Sequence, residues 1–278
     1  MTKKIAATTW CTDDYIDIIG LDAIINSFHH FHPDVDFFVF DTKQTQAAIE
    51  KDPWLMRGPR YAPWMMAPSC MPYIEDYDMV IHIDGDSTIV GPLTELFEAD
   101  EDIVGVRNNN SMNMAGAHRG ITIPIDGGPL IPVQKFLNAG LIASNNKNFW
   151  HDWHHLNEQV ETQTGMSDEQ DTLNIIFHSK KYTTKILDGM KSGVSYGVSN
   201  LWGTGDNHWE SWKLLYMNDG KLMLNDPVTQ EPTVVKILHQ AGGSIADKMN
   251  RESGGLRNWM KSAVSDEVKD YLNEITKL

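Results

Sequence analysis

Asp84-Gly85-Asp86 sets two carboxylates one glycine apart, directly after the apolar run Met79-Val80-Ile81-His82-Ile83. Two hard oxygen donors with space around them suit Mg²⁺ or Mn²⁺, ions that keep coordination positions open for phosphate oxygens. Gly85 lets a ligand or a neighbouring backbone approach closely. An apolar run that stops at an acidic residue reads as a strand leaving a sheet, and open α/β sheets bind ligands at the carboxyl ends of their strands. An acidic strand-end turn without a metal would use the same residues, so the motif alone leaves both readings open. Other candidate groups carry less. His29, His30 and His32 close a predicted helix, and His151, His154 and His155 share i, i+3, i+4 spacing. Neither group has a carboxylate at the spacing of a metalloprotease signature, and both read as solvated surface. Gly203-Thr204-Gly205 lacks the Lys-Ser/Thr of a phosphate loop and the third glycine of a dinucleotide fingerprint. Trp202, Trp209 and Trp212 beside it read as core aromatics, with a sugar-stacking wall as the alternative.

The elements that must position these groups follow from periodicity. Residues 5–10 and 37–40 are short, apolar and β-prone, the second closed by Asp41. Between them Ile18, Leu21, Ile25 and Phe28 recur at helical steps. Together with residues 79–83 this alternation of strand and helix predicts right-handed crossovers and an α/β fold with a mostly parallel central sheet. Residues 53–72 contain Pro59, Pro63, Pro68 and Pro72, which forbid one clean helix. Residues 103–106 and 136–144 read as further strands, and Phe149, Trp153, Leu156 and Val160 mark a helix. The stretch 108–128 is polar and aperiodic, as in a functional lid or a locally disordered loop. Asn218-Asp219-Gly220 sits between β-prone arms as a hairpin turn. Residues 234–238 form a last strand, and Val264, Val268, Leu272 and Ile275 outline a C-terminal helix behind Ser265.

The chain has 278 residues, of which 41% are hydrophobic, enough to bury a substantial core in one large domain. Lys and Arg number 23 against 38 Asp and Glu, a formal net charge of −15 that opposes nucleic-acid and anionic-membrane partners. The first residues have no apolar leader segment, no run is apolar enough to span a bilayer, and Cys11 and Cys70 are too few for a disulfide scaffold. A soluble cytoplasmic protein without a transmembrane segment is expected.

Two enzyme classes use a strand-end acidic pair. Asp84-Gly85-Asp86-Ser87-Thr88 fits the D-x-D-x-T of haloacid-dehalogenase-type phosphatases, in which the first Asp attacks phosphorus with Mg²⁺ assisting. That motif normally follows the first strand of its domain, whereas here at least two strands and a helix precede it. The same residues resemble the D-x-D of nucleotide-sugar glycosyltransferases of the GT-A fold. Three later segments in the same order resemble glycosyltransferase family 8, the family of glycogenins and bacterial lipopolysaccharide galactosyltransferases. Phe136-Leu137-Asn138-Ala139-Gly140-Leu141-Ile142 is similar to F-N-[SA]-G-h-h, Glu169-Gln170-Asp171-Thr172-Leu173-Asn174 to D-Q-x-x-L-N, and His239-Gln240-Ala241-Gly242 to H-x-x-G. Near the start, Thr9-Trp10-Cys11-Thr12-Asp13-Asp14-Tyr15 resembles the T-x-x-D-x-Y loop that seats uridine.

The resemblance implies one GT-A domain over 1–278, with a nucleotide-binding half to about residue 107 and a sugar and acceptor half over 108–278. It implies a metal-dependent hexosyltransferase with a UDP-sugar donor, a carbohydrate or glycoconjugate acceptor and retention of configuration. Asp84, Asp86 and His239 would hold Mn²⁺, with Mg²⁺ as the alternative, since imidazole favours the softer ion. Tyr15 would stack on uracil, and backbone groups of Thr8, Thr9 and Trp10 would read the base edge. Gly85 would lie against the donor, and Asp41 takes the ribose position by analogy with dinucleotide folds. Asn138, Ala139 and Gly140 would line the sugar, with Glu169, Gln170 and Asp171 as the catalytic candidates. Glu169 and Asp171 are chemically better nucleophiles than the Gln170 amide, and a covalent glycosyl intermediate or same-face return both remain open. The family's lysine two residues past H-x-x-G is missing here, and Lys248 is the first basic residue beyond it. The family's basic residue ahead of D-x-D is also missing, with Arg57 and Arg60 further upstream. The alternatives that stay open are the phosphatase and a non-catalytic carbohydrate-binding relative.

Overall fold

The computed structural model of the chain describes residues 3–13, 21–57, 65–107, 137–164, 169–187, 194–195, 198–199, 215–225, 232–239 and 265–277. In chain order the strands are β1 (Ile5–Trp10), β2 (Asp36–Phe40), β3 (Met79–Ile83), β4 (Ser87–Ile89), β5 (Ile103–Arg107), β6 (Leu137–Ser144), β7 (Thr184–Leu187), β8 (Val194–Ser195), β9 (Val198–Ser199), β10 (Leu215–Asn218), β11 (Lys221–Asn225), β12 (Pro232–Val235) and β13 (Ile237–His239). The helices are α1 (Leu21–Phe31), α2 (Thr42–Lys51), α3 (Met66–Cys70), α4 (Thr94–Phe97), α5 (Lys147–Thr164), α6 (Glu169–His178) and α7 (Asp266–Thr276). Among the described residues, no helix is long and apolar enough to cross a membrane.

The chain folds into two compact units that interleave along the sequence. The first takes Met1–Thr12, Asp36–Ile83 and Thr94–Leu187, and the second takes Asp13–Val35, Asp84–Leu93 and Asp188–Leu278. Neither coincides with the 1–107 or the 108–278 stretch of the sequence-based division.

The first unit is built on a six-stranded sheet in the order β2-β1-β3-β6-β5-β7. β1 runs parallel to β2 and β3, and β5 parallel to β7, while β6 is antiparallel to both β3 and β5. One reversed strand in an otherwise parallel sheet is the mixed, mostly parallel arrangement expected. Every residue of β3 is buried, as a strand covered on both faces requires. Ala67 and Cys70 of α3 pack with Phe149, Trp150 and Trp153 of α5 and with Leu173 and Phe177 of α6. The proline-rich stretch splits into a 3₁₀ turn at Pro53–Arg57, α3, and a second 3₁₀ turn at Met71–Tyr73, short pieces as its prolines dictate.

The second unit holds a four-stranded sheet, β10-β11-β12-β8, and a three-stranded sheet, β4-β13-β9. β10 and β11 form the expected hairpin, whose turn residues Asp219 and Gly220 have φ of 49° and 71°, the left-handed pair of a type I′ turn. The single strand expected over 234–238 is two strands, β12 and β13, which join different sheets on either side of Lys236. Helix α7, capped by Ser265 accepting from the Val268 N–H, buries Val268, Leu272 and Ile275 against Leu215, Leu222 and Leu238. In α1 the buried face is Leu21, Ala23, Ile24, Ser27 and Phe28, so Ile25 lies at its margin; Ile18 lies outside the described residues.

Candidate active site

Asp84, Gly85 and Asp86 form the link between β3 and β4. The Asp84 carbonyl accepts from the Ser87 N–H at 3.0 Å, a tight turn that places both carboxylates at the start of β4. β4 then pairs antiparallel with β13 in the register Ser87↔His239, Thr88↔Leu238 and Ile89↔Ile237. His239 is thus brought level with the residue that follows Asp86. Its Nε2 lies 3.0 Å from Asp86 Oδ1 and 3.2 Å from Asp84 Oδ2. This is the three-residue set predicted from sequence, assembled from positions more than 150 residues apart by one short ladder.

The electrostatics match a cation site. Burial alone would lower the His239 pKa, but the Asp86 charge, the hydrogen bonds to Asp84 and Asp86 and then the Asp84 charge outweigh it and raise it to about 10. The imidazolium balances one of the two carboxylate charges. A divalent cation would balance both, with the imidazole then serving as a neutral ligand. One donor atom from each of the three residues lies within 4.8 Å of the other two, close enough to share one ion. The His side chain is 9% exposed, while those of Asp84 and Asp86 are 26% and 17% exposed, so the carboxylates face the open side. Two carboxylate oxygens and an imidazole nitrogen suit Mn²⁺ in donor type and leave positions for other oxygens. These residues fit the metal implied by the sequence.

β4 is held in this register by neighbours in its own unit. Ser27 Oγ of α1 accepts from the Ile89 N–H at 3.1 Å, and the Lys236 carbonyl accepts from the Val90 N–H at 2.8 Å. His32 Nε2 accepts from the Leu93 N–H at 3.0 Å. Sequence reasoning missed Ser27; the signal available was a lone hydroxyl on the apolar face of an amphipathic helix.

The sugar-site and catalytic candidates belong to the first unit, where the structure brings two of the quoted segments together. Against β5, Gly105 pairs with Ile142 and Val106 with Asn138, so Ala139, Gly140 and Leu141 bulge from that ladder. A Cβ at Gly105 would come within 2.9 Å of the Leu137 side-chain end and 3.0 Å of that of Ile142, so these two side chains pack directly over the glycine at this shift. Asn138 Oδ1 accepts from the Gly140 N–H at 2.8 Å, closing the bulge as an Asx turn. Gln170 Oε1 accepts from the Ala139 N–H at 3.2 Å, and Asn174 Oδ1 accepts from the Leu137 N–H at 2.7 Å. Gln170 and Asn174 are both buried, whereas Glu169 and Asp171 beside them are partly exposed. The start of α6 is fixed to α5 as well: Trp153 Nε1 donates to the Glu169 carbonyl and to Thr172 Oγ1, and Thr172 donates to Asn157. This buried tie, and the role of Asn174, had no sequence signal beyond the presence of Asn174 in the quoted motif.

The residues expected around the nucleotide are placed as follows. Thr8 is fully buried, its hydroxyl 3.2 Å from Cys70 Sγ, and its backbone pairs with both Phe38 and His82. The ladder to β3 ends there, and Thr9 and Trp10 continue paired with β2. Burial is the first cause that pushes the Cys70 thiol up, to about 12, so it is an inert core group. Trp10 Nε1 donates to Thr45 Oγ1 of α2 at 2.9 Å. Asp41 is the N-cap of α2: its Oδ1 accepts from the Gln44 N–H at 2.8 Å and the Gln44 side chain accepts from the Asp41 N–H at 3.0 Å. This capping box accounts for an Asp at that strand end without a ribose. Tyr15 and Lys248 lie outside the described residues, as do 108–128 and Trp202, Trp209 and Trp212.

The sequence matches no protein-family model, and no curated protein matches it. Solved structures do. The galactosyltransferase LgtC, determined with donor and acceptor sugar analogues, superposes with a TM-score of 0.54 at 17% identity, over 96% of this chain and 99% of that one. The glycosyltransferase GlyE of Streptococcus pneumoniae TIGR4 gives 0.51 at 16% identity, over 98% of this chain and 63% of its own. The bifunctional glycosyltransferase WbbM in its apo form gives 0.51 at 14% identity; this chain matches along 100% of its length and spans 52% of that protein. The likeness runs along nearly the whole chain, and the fold is the GT-A fold it shares with these glycosyltransferases.

Proposed function

We propose that this protein is a metal-dependent glycosyltransferase that moves a hexose from a UDP-sugar to a carbohydrate or glycoconjugate acceptor with retention of configuration. The observation that carries the proposal is the Asp84, Asp86 and His239 cluster at a strand end of a GT-A fold. Breaking the bond between the anomeric carbon and the diphosphate puts charge on the leaving phosphate, and a divalent cation held by Asp84, Asp86 and His239 would supply the stabilisation.

The chain's own groups divide the remaining tasks. His239, locked by the β4–β13 register, orients the two carboxylates. Thr9, Trp10 and Tyr15 are the candidates for the base, Asp41 for the ribose, and Gly85 and Lys248 for the diphosphate. The Asn138–Gly140 turn that closes the bulge offers a shaped backbone to the sugar. Glu169 and Asp171 supply carboxylates able to stabilise or attack the anomeric carbon. The Gln170 side-chain Oε1 accepts from the Ala139 N–H, and an amide is in any case a weak nucleophile, so Gln170 is assigned to shaping the site.

The test incubates the protein with a panel of UDP-hexoses, Mn²⁺ and simple sugar acceptors. Release of UDP with formation of a glycoside, lost in Asp86→Ala, is expected. Release of phosphate from an aryl phosphate, abolished by Asp84→Asn and with no UDP-sugar turnover, would replace the transferase by a phosphatase. Glycan binding with no turnover of either substrate would mark a non-catalytic relative.

A further inference from the structure

β6 outlasts its neighbour. Its ladder with β3 ends at Ile83↔Leu141, yet β6 continues back to Leu137. Past that point the main-chain groups of Leu137 and Ala139 have no β3 residue to meet, and α6 supplies the partners instead. Asn174 Oδ1 accepts from the Leu137 N–H at 2.7 Å, while Asn174 Nδ2 donates to the Leu137 carbonyl at 3.1 Å. One turn earlier on the same face of α6, Gln170 Oε1 accepts from the Ala139 N–H at 3.2 Å. Asn174 Nδ2 also donates to the Gln170 carbonyl at 2.7 Å, which ties the two residues into one unit. Leu137 and Ala139 share the strand's alternation, so two side chains spaced i, i+4 reproduce the hydrogen-bonding edge of a missing strand.

Asn174 is fully buried and meets both backbone groups of Leu137, so no isosteric side chain can replace it. Aspartate accepts but cannot donate when ionised, and leucine does neither. The main chain it grips leads directly into the Asn138–Gly140 turn, and Leu141 at the far end of the bulge pairs with the residue that precedes Asp84. We propose that Asn174 is a positioning residue of the sugar site: it acts as a surrogate strand that sets the Asn138–Gly140 turn and the bulge it closes, without itself touching substrate. This rests on the transferase reading for its consequence in turnover, but the geometry it asserts is measurable without any substrate.

The experiment therefore has two readouts on the full chain, in wild type, Asn174→Ala and Asn174→Asp. Amide hydrogen exchange by NMR reads the geometry. Asn174→Ala should speed exchange at Leu137 and Ala139 by about tenfold or more, the equivalent of a lost hydrogen bond, while Ala143, laddered to Ile81 and Val104, stays protected. Steady-state kinetics read the consequence. Asn174→Ala should lower kcat/KM for the UDP-hexose by about 100-fold with UDP and Mn²⁺ binding unchanged. Asn174→Asp should recover part of that loss as pH falls and its carboxyl regains a proton to donate, while the protection of Ala143, which follows general stability, stays that of wild type at each pH. Unchanged exchange at Leu137 and Ala139 in Asn174→Ala overturns the proposal, as does lost protection with wild-type kcat/KM. A wild type inert toward every UDP-hexose overturns the transferase reading instead, and the exchange data then still decide whether Asn174 sets the bulge.

Discussion

His239 stands opposite Ser87 in the antiparallel β4–β13 pair, and that register sets its Nε2 3.0 Å from Asp86 Oδ1. A shift of one residue would turn the imidazole to the other face of the strand and leave the carboxylates without it. His239→Ala and Asp86→Ala should each weaken Mn²⁺ binding by more than the about 10–100-fold typical of outer-sphere partners. Calorimetric titration of Mn²⁺ into wild type and both variants measures this.

Ser27 secures that register from α1 by accepting from the Ile89 N–H at 3.1 Å, and both residues are fully buried. In Ser27→Ala the amide loses its acceptor in a site closed to water. Urea unfolding should show a loss of about 1–3 kcal/mol. A loss well below that range would mean that the hydroxyl is dispensable to β4.

His32 gives a pH signature. Burial first, and then the Lys236 charge, hold its pKa down from 6.5 to about 4, and its Nε2 accepts from the Leu93 N–H. A base depressed in the folded state is neutral there while the unfolded chain takes up its proton. Its contribution is therefore complete above pH 6.5 and is lost as pH falls toward 4. Urea midpoints compared at about pH 7 and about pH 4 should fall further in wild type than in His32→Gln, which keeps an acceptor without the titration.

Gly220 has φ of 71° in the β10–β11 turn, and a Cβ added there would meet nothing within 4 Å. Gly220→Ala thus carries no clash and isolates the backbone term. It should cost about 1–2 kcal/mol in unfolding free energy, measured by thermal or urea denaturation.

Strands β1, β2, β3, β5 and β6, the β10–β11 hairpin and helices α1, α5 and α7 were legible because burial on both sheet faces leaves uninterrupted apolar runs, as in β3, because the helices carry apolar residues at steps of three and four, and because Asp219-Gly220 has few conformational alternatives; β4, β7, α2 and α6 carried no such pattern. The acidic pair and His239 were legible as types and order, but their meeting depends on a ladder of three residues whose register no local pattern encodes. α1 was placed correctly, and Leu21 and Phe28 are buried as expected, yet its buried face also takes in Ala23, Ile24 and Ser27 in place of Ile25, because Ser27 accepts from the Ile89 N–H of β4 and Ala23 joins the core with Val90. The reversed direction of β6 and the split at Lys236 were not visible, since parallel and antiparallel strands of one apolar content read alike. Asp41 shows a residue type that serves two tasks: the acidic strand end read as a ribose candidate also holds the capping box of α2, which its type and position alone did not reveal.

The most direct test of the account is calorimetric titration of UDP into the protein with Mn²⁺, with EDTA, and with Mn²⁺ in Asp86→Ala. The account predicts tight binding in the first case and none in the other two, because the diphosphate would be held through an ion that Asp86 helps to bind. Absence of UDP binding under all three conditions, or equal binding with EDTA, would contradict it.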